Sequence, residues 1–183
     1  MINKNILKIA TLLAILIVGI CLVSSTVFAA TPKMKVTSAS IKNGIIAENH
    51  GMYGTVDTKS IPKVSIPLKV SNAPKKTKYY AVYMYDNDVS WVHWLSANYK
   101  SSTFKTDASK KNAKSMVQGK NSFGTLGYGG PTPPDKTHTY TLKVYALKSK
   151  VSLKSGFTQA QFNKAIKGKV LATASIKGKY VRK

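Results

Sequence analysis

Few side chains in this sequence could carry acid–base, nucleophilic or metal chemistry. The chain has six acidic residues and three histidines, and these are Glu48, Asp57, Asp86, Asp88, Asp107, Asp135, His50, His93 and His138. None stands in a metal-binding spacing such as HExxH, so neither a metal site nor a cofactor is predicted. No activated nucleophile accompanies Asp86 and His93 as an acid and base, so the chain is predicted not to be an enzyme.

Binding is the chemistry that the remaining acids and histidines favour. Two imidazoles, from His93 and His138, could donate hydrogen bonds to an oxyanion, and the Asp86 carboxylate could orient one ring and raise its protonated fraction. Each residue alone has a plainer interpretation, because a lone histidine in a strand is usually a core residue and an aspartate beside a turn usually forms that turn. Only if the fold brings them together do they predict a site for a small anion.

A loop rich in glycine and proline lies immediately before His138. Residues 121–134, NSFGTLGYGGPTPP, contain four glycines and three prolines. Glycines allow backbone N–H groups to converge on an anion, and prolines fix the shape of a loop. The segment is therefore predicted to be a rigid binding loop rather than a long flexible turn.

The elements that would position these residues are mainly strands. Runs of β-forming residues alternate with turn residues, which is typical of an all-β-dominated domain. Four strands are predicted, at Tyr79–Tyr85, Trp91–Asn98, Thr137–Leu147 and Val170–Ile176. The first is apolar enough for burial on both faces. Asp86 then ends one strand, His93 lies on the next, and His138 opens a third.

One helix is predicted near the C-terminus. Thr158 and Gln161 form a capping box, Phe162 and Ile166 share an apolar face, and Gly168 follows as a stop signal. Residues 106–117 are polar and could hold a short helical turn, but their periodicity is weak, and we interpret them as a surface loop.

Residues 1–29 have the pattern of an export signal. Lysines precede an uncharged run from Ile9 to Val23, and Val27 and Ala29 suit cleavage before Ala30. A single mature domain of residues 30–183 is therefore predicted, secreted or associated with the cell envelope. The alternative is an uncleaved N-terminal membrane anchor, which normally needs about 18 or more apolar residues.

The net charge of +23 comes almost entirely from lysine, because Arg182 is the only arginine. Sequence-specific DNA recognition depends on the arginine fork, so no specific nucleic-acid partner is predicted. Two interpretations remain open. The lysines are either a solvated surface or a means of retention on an anionic cell envelope, wall polymer or membrane.

Four segments together resemble the phosphatidylethanolamine-binding protein family, most closely its bacterial Raf kinase inhibitor-like branch. In chain order they are Asp86-Asn87-Asp88, Trp91-Val92-His93-Trp94, the loop 121–134, and His138-Thr139-Tyr140. The likeness runs from about Met34 to the C-terminus and includes Ser65–Leu68 and Gly168–Ala172. It thus covers nearly all of the mature chain.

The resemblance implies a β-sandwich with one or two short peripheral helices and a small pocket at one end. In the family this pocket accepts phosphate, phosphorylated head groups such as those of phospholipids, or carboxylates. The residues that match its lining are Asp86, His93, Gly127, Gly129, Pro131, Pro133, His138 and Tyr140.

Two departures from the family pattern bear on the pocket. Asn87, Val89 and Ser90 stand in a motif that usually reads Asp-Pro-Asp-Ala-Pro, and Thr139 replaces the usual arginine after His138. The favoured function is an exported protein that binds a small anionic ligand. The alternatives are an inhibitor or modulator of a protein kinase or protease, and a cationic surface protein retained in the envelope.

Overall fold

The computed structural model describes residues 32–183, so the predicted signal peptide lies outside the described residues. Pro32–Lys183 form one compact unit. The strands are β1 (Lys35–Thr37), β2 (Ile41–Lys42), β3 (Ile45–Ile46), β4 (Leu68–Ser71), β5 (Tyr79–Asp86), β6 (Val92–Tyr99), β7 (Thr103–Phe104), β8 (Val117–Gln118), β9 (His138–Leu147) and β10 (Val170–Tyr180). The helices are α1 (Ala108–Lys111) and α2 (Gln159–Ile166), with 3-10 turns at Glu48–His50 and Ala113–Ser115.

The strands form two sheets. Seven strands pair in the order β2-β3-β10-β9-β5-β6-β8, and three pair in the order β1-β4-β7. All pairings are antiparallel except the short contact between β3 and β10. The mostly β fold with few helices confirms the fold class predicted from the sequence.

The main core lies between the two sheets. Side chains of the larger sheet, such as Val82, Trp94 and Leu142, pack with Leu68 and Phe104 of the smaller one. Alternate residues of β5 point the other way, where Ala81 joins a second apolar cluster beneath α2. The prediction that this strand could be buried on both faces is only partly right, because the inner row is fully buried whereas Tyr79 and Tyr83 of the outer row are half-buried.

The capping box predicted for the C-terminal helix is present. The Thr158 hydroxyl accepts a hydrogen bond from the Gln161 N–H at 3.2 Å, and the Gln161 side chain accepts from the Thr158 N–H at 2.8 Å. Phe162 and Ile166 are buried against the sheet, and Gly168 follows with a positive φ of 71°. These contacts hold α2 on the outer face of the larger sheet.

The interpretation of residues 106–117 as a surface loop is only partly right. They include α1 and the 3-10 turn Ala113–Ser115, and Ala108 and Ser109 are buried. Hydrophobic periodicity could not reveal α1, because a single helical turn is too short to show a repeating apolar face. Within residues 32–183, no helix has the length and apolar character needed to cross a bilayer.

Candidate functional site

Antiparallel pairing of β5 and β9 brings Asp86 and His138 together. Asp86 is the last residue of β5 and is opposite Tyr140, two residues into β9. The His138 Nδ1–H donates to Asp86 Oδ2 at 2.8 Å, and both side chains are almost completely buried. Asp86 Oδ1 accepts the Asp88 N–H at 2.9 Å, which closes the turn after the strand.

A second carboxylate occupies the other side of the His138 ring. His138 Nε2 lies 2.8 Å from Asp135 Oδ1, and the Asp135 side chain is 63% exposed. Burial lowers the pKa of His138, but the hydrogen bonds to Asp86 and Asp135 outweigh burial and the net pKa is raised. Both N–H groups are thus used within the protein, so His138 acts on the site by holding Asp86 in place.

His93 is buried in β6 in a neutral form. Its Nδ1–H donates to the carbonyl oxygen of Gly129 at 2.6 Å. Burial is the main reason that the pKa of His93 falls to about 4, against smaller opposing effects from Gly129 and the charge of Asp86. With the proton on Nδ1, the Nε2 atom carries a lone pair and accepts rather than donates a hydrogen bond.

Tyr140 lies behind His93 and Asp86. Its ring meets the His93 ring edge-on, with the centroids 5.1 Å apart, and the residue is fully buried. The Tyr140 hydroxyl forms no hydrogen bond of good geometry among the described residues, although the Asp86 carboxylate lies close enough to act as its acceptor. Burial first, and then the negative charge of Asp86, raise the pKa of Tyr140 well above its ordinary value, so the hydroxyl keeps its proton as a donor.

The glycine-proline loop is tied to the rest of the fold through its backbone. The Gly129 N–H donates to the His93 carbonyl, and the Gly130 N–H donates to the Pro62 carbonyl, each at 2.9 Å. The Pro131 carbonyl accepts the Met52 N–H at 2.9 Å, and the Pro133 carbonyl accepts from Arg182 Nη1 at 2.6 Å. These bonds fix the loop beside β6.

The glycines act differently from the anion nest suggested by the sequence. The Gly124, Gly127, Gly129 and Gly130 N–H groups all donate to protein carbonyls. A Cβ at Gly127 would lie 2.5 Å from Ser109 Oγ, and one at Gly129 would lie 2.6 Å from the Phe123 ring. Close packing therefore accounts for these two glycines, and they shape the loop rather than offer donors to a ligand.

A cleft of about 320 Å³ opens over this arrangement. Its lining is Asp86, Val89, Trp91, His93, Phe123, Thr132 and Pro134. Trp91 is 39% exposed, and its ring meets Phe123 edge-on at 5.5 Å. The walls are thus mainly apolar, with three polar residues, Asp86, His93 and Thr132, in the lining.

The structure brings some of the candidate residues to the cleft and places others around it. Asp86 and His93 line it, His138 and Tyr140 lie behind them, and the remaining candidates, Gly127, Gly129, Pro131 and Pro133, belong to the loop that forms one wall. Asp135 and the aromatic walls were not predicted. The sequence signals that could have indicated them were Trp91, directly after a turn-like segment, and Asp135, three residues before His138.

Within residues 32–183, one group of side chains has the geometry to hold a metal ion. Potential ligand atoms of Asp86, Asp88 and His138 lie within 4.8 Å of one another. Asp86 and His138 already bond each other, however, and Asp88 Oδ2 accepts the Thr139 N–H at 2.9 Å. A metal ion would have to displace the proton of His138, which already supplies positive charge between these carboxylates.

Comparison with known families identifies the chain. The profile of the family described as PBP: Phosphatidylethanolamine-binding protein matches residues 36–181. The chain belongs to this family. The UPF0098 protein YbcL of Escherichia coli (strain K12) is 32% identical over 174 residues, which cover 88% of this chain and 94% of YbcL. An uncharacterized protein of Bacillus subtilis (strain 168), YxkA, is 35% identical over 134 residues, covering 63% of this chain and 80% of YxkA.

Solved structures of other family members share the fold. The crystal structure of Escherichia coli YbcL matches with a TM-score of 0.70 and 31% identity, covering 83% of this chain and all of that one. A homolog from Chlamydia trachomatis matches with a TM-score of 0.71 and 30% identity, covering 82% of this chain and 99% of that one. The resemblance noted from the four sequence segments is therefore confirmed as family membership.

Proposed function

We propose that this family member is an exported binding protein whose cleft holds a phosphate or another small anionic group of its ligand. The observation that carries the proposal is the pairing of Asp86 and His93 in the lining of a mainly apolar cleft. Polar groups in apolar surroundings need hydrogen-bond partners, and a protonated ligand oxygen would supply one. The cleft offers such an oxygen a place beside His93.

The polar groups of the cleft restrict the protonation state of the ligand. Asp86 and the His93 Nε2 atom both accept hydrogen bonds, and Asp86 carries negative charge into the site. A ligand must therefore bring at least one proton of its own, as a monoanionic phosphate does. A dianionic phosphate would be repelled, so binding strengthens as the pH falls toward the second phosphate pKa of about 6.

The head group of phosphatidylethanolamine fits these conditions, and the family description names that lipid. It joins a phosphate to an ammonium group, which would supply N–H donors to the acceptors in the cleft. The exposed side chains of Trp91 and Val89 and the half-buried ring of Phe123 form apolar walls that suit the carbon atoms of such a ligand.

Titration calorimetry with O-phosphorylethanolamine at two pH values tests the proposal. Asp86→Asn removes the negative charge that lines the cleft, and Asp88→Asn makes the same change outside the lining as a matched control. A hydrogen bond to a charged group is worth about 1.5–3 kcal/mol, so Asp86→Asn should weaken binding roughly ten- to a hundredfold at the lower pH. Affinity is measured where the variant is folded, because Asp86 also accepts a hydrogen bond from His138. Equal affinities for wild type and both variants would overturn the proposal.

Export is the second part of the proposal, and it rests on the signal pattern in residues 1–29. N-terminal sequencing of the protein collected from culture supernatant and from the cell envelope tests it. A start at Ala30 is expected, whereas an intact Met1 on the exported protein would favour an uncleaved membrane anchor.

A further inference from the structure

A second cavity, separate from the cleft, is lined by lysines. It has a volume of about 990 Å³ and lies between the segment 150–157 and α2. We call it the lysine groove, after the four lysines of its lining, Lys150, Lys154, Lys164 and Lys169. The groove lies where α2 covers the outer apolar cluster of the larger sheet, and none of its lining residues lines the cleft.

The positive charge of the lysine groove is not neutralised by nearby acids. The sequence has no aspartate or glutamate after Asp135. The salt bridges formed by residues 32–183 use other cations, such as Lys63 and Lys183. Lys169 Nζ instead donates to the Lys150 carbonyl at 2.9 Å, which ties the two walls together. Cations of one sign around a concave surface concentrate the field there and attract anions.

The basic surface continues beyond the groove. Lys150 and Leu153 also line an adjoining cavity of about 660 Å³, which adds Lys100 and Lys114. Two neighbouring basic cavities that share a wall can accommodate a chain of several anionic groups, whereas a single phosphate would use only part of this surface.

We propose that the lysine groove binds an extended anionic polymer whose backbone carries repeated phosphate groups. A bilayer is flat, whereas these lysines surround a concavity that a single chain can enter. Proteins that bind single-stranded nucleic acid present aromatic rings for base stacking. In the groove the one aromatic residue, Phe157, is 3% exposed and stacks on Phe162 instead. The adjoining cavity adds two tyrosines, of which Tyr99 is buried and Tyr79 is half-buried. A charged surface with so little exposed aromatic area suits a polyphosphate or polyol phosphate chain.

Binding of linear polyphosphate tests this proposal, with two triple variants of equal charge. The groove variant carries Lys150→Gln, Lys154→Gln and Lys164→Gln, and it retains Lys169 because of its bond to the Lys150 carbonyl. The control carries Lys35→Gln, Lys42→Gln and Lys69→Gln, which are exposed residues of β1, β2 and β4. We expect the groove variant to bind roughly tenfold more weakly than wild type, with the control little changed.

Several outcomes would overturn the proposal. Equal losses in the two triple variants would mean that the polymer contacts the lysines without a defined site. Tighter binding to single-stranded DNA of equal charge would indicate a nucleic-acid surface. A groove variant that loses binding only to phosphatidylglycerol vesicles would indicate a membrane surface. Asp86→Asn should bind polyphosphate as wild type does, which separates this proposal from the one for the cleft.

Discussion

The cleft and the lysine groove carry opposite charges, although the chain as a whole is strongly basic. Three of the six acidic residues, Asp86, Asp88 and Asp135, gather around His138 beside the cleft. The groove has four lysines and no acid. Net charge therefore indicates neither the location of an anion site nor its mechanism of binding.

The two regions also differ in how their polar groups are held. Both nitrogens of His138 and both oxygens of Asp86 are hydrogen-bonded inside the protein, and these side chains are buried. Three of the groove lysines, Lys150, Lys154 and Lys164, are exposed. The cleft should therefore select ligands by shape and protonation, whereas the groove should select them by charge and length.

The largest expected effect is on stability, from Gly130→Ala. A Cβ at this position would overlap the His50 carbonyl oxygen and lie 2.9 Å from Pro62 Cβ. Backbone cannot move aside easily, so we expect a loss of about 3 kcal/mol by chemical denaturation, the upper end of the usual cost of overpacking. Gly124→Ala, in the same loop, meets open space and should lose only about 1 kcal/mol, the cost of its positive φ.

This variant also tests whether the two regions are independent. The Gly130 loop forms one wall of the cleft and does not line the groove. Under conditions where Gly130→Ala is folded, we expect weaker binding of O-phosphorylethanolamine and unchanged binding of polyphosphate. Parallel losses of both ligands would show that the two regions are coupled through the fold.

Salt concentration should also distinguish binding in the lysine groove from binding in the cleft. Each neutralised phosphate of a single-stranded polyanion contributes a slope of about −0.7 to the dependence of log affinity on log salt. Four lysine contacts in the groove therefore predict a roughly fiftyfold loss of polyphosphate affinity between about 50 mM and about 200 mM salt. Binding in the cleft should change much less, because buried interactions are screened less. Equal salt slopes would contradict the distinction.

The long strands were predictable because the residues that specify each of them are neighbours in the sequence. β5 and β9 are long runs of β-forming residues bounded by turns, and the capping box of Thr158 and Gln161 marks the start of α2. By contrast, the short β1 to β3 and α1 have too few residues for any periodicity to show. Tertiary contacts decide those elements.

The site was predictable only where order along the chain implied proximity. Asp86 and His138 come from an antiparallel strand pair, and the family resemblance had already joined them. The tautomer of His93 was not predictable, because it depends on the Gly129 carbonyl across the loop. The lysine groove was not predicted either, since its lysines are scattered through residues 150–169 and only the packing of α2 gathers them.

The folded protein should lose stability in acid because His93 is buried in its neutral form. The pKa of this residue is about 4 in the folded protein, below its ordinary value near 6.5. The unfolded state then binds more protons, so stability is lost as pH falls from 6.5 toward 4. At pH 4.5 the loss relative to pH 7 should be roughly 2 kcal/mol.

Urea denaturation at these two pH values checks the effect of His93. His93→Gln keeps a donor for the Gly129 carbonyl but cannot titrate, so its stability should depend less on pH than that of wild type. The comparison uses the change with pH rather than absolute stability, because the substitution itself alters packing. Polyphosphate binding should vary little over this range, since lysine is the only titratable residue type lining the groove. If the stability of His93→Gln depended on pH as strongly as that of wild type, His93 would not be the cause of the acid destabilisation.

The smallest expected effect is that of Asp135→Asn on His138. Asp135 is largely exposed, so water weakens its interaction with the ring, whereas the buried Asp86 keeps the other nitrogen protonated. The pKa of His138 should therefore fall part of the way toward its ordinary value when measured by NMR titration. A raised pKa in the folded state gives stability that is present below the unfolded pKa and is lost as pH rises through the folded pKa. Asp135→Asn should thus reduce the loss of stability on going from pH 6 to pH 9.

Glu48→Gln, which removes one exposed acid paired with Lys183, should leave the pKa of His138 unchanged. If both variants shift that pKa equally, the long-range field of the protein, rather than the contact with Asp135, sets the charge beside the cleft.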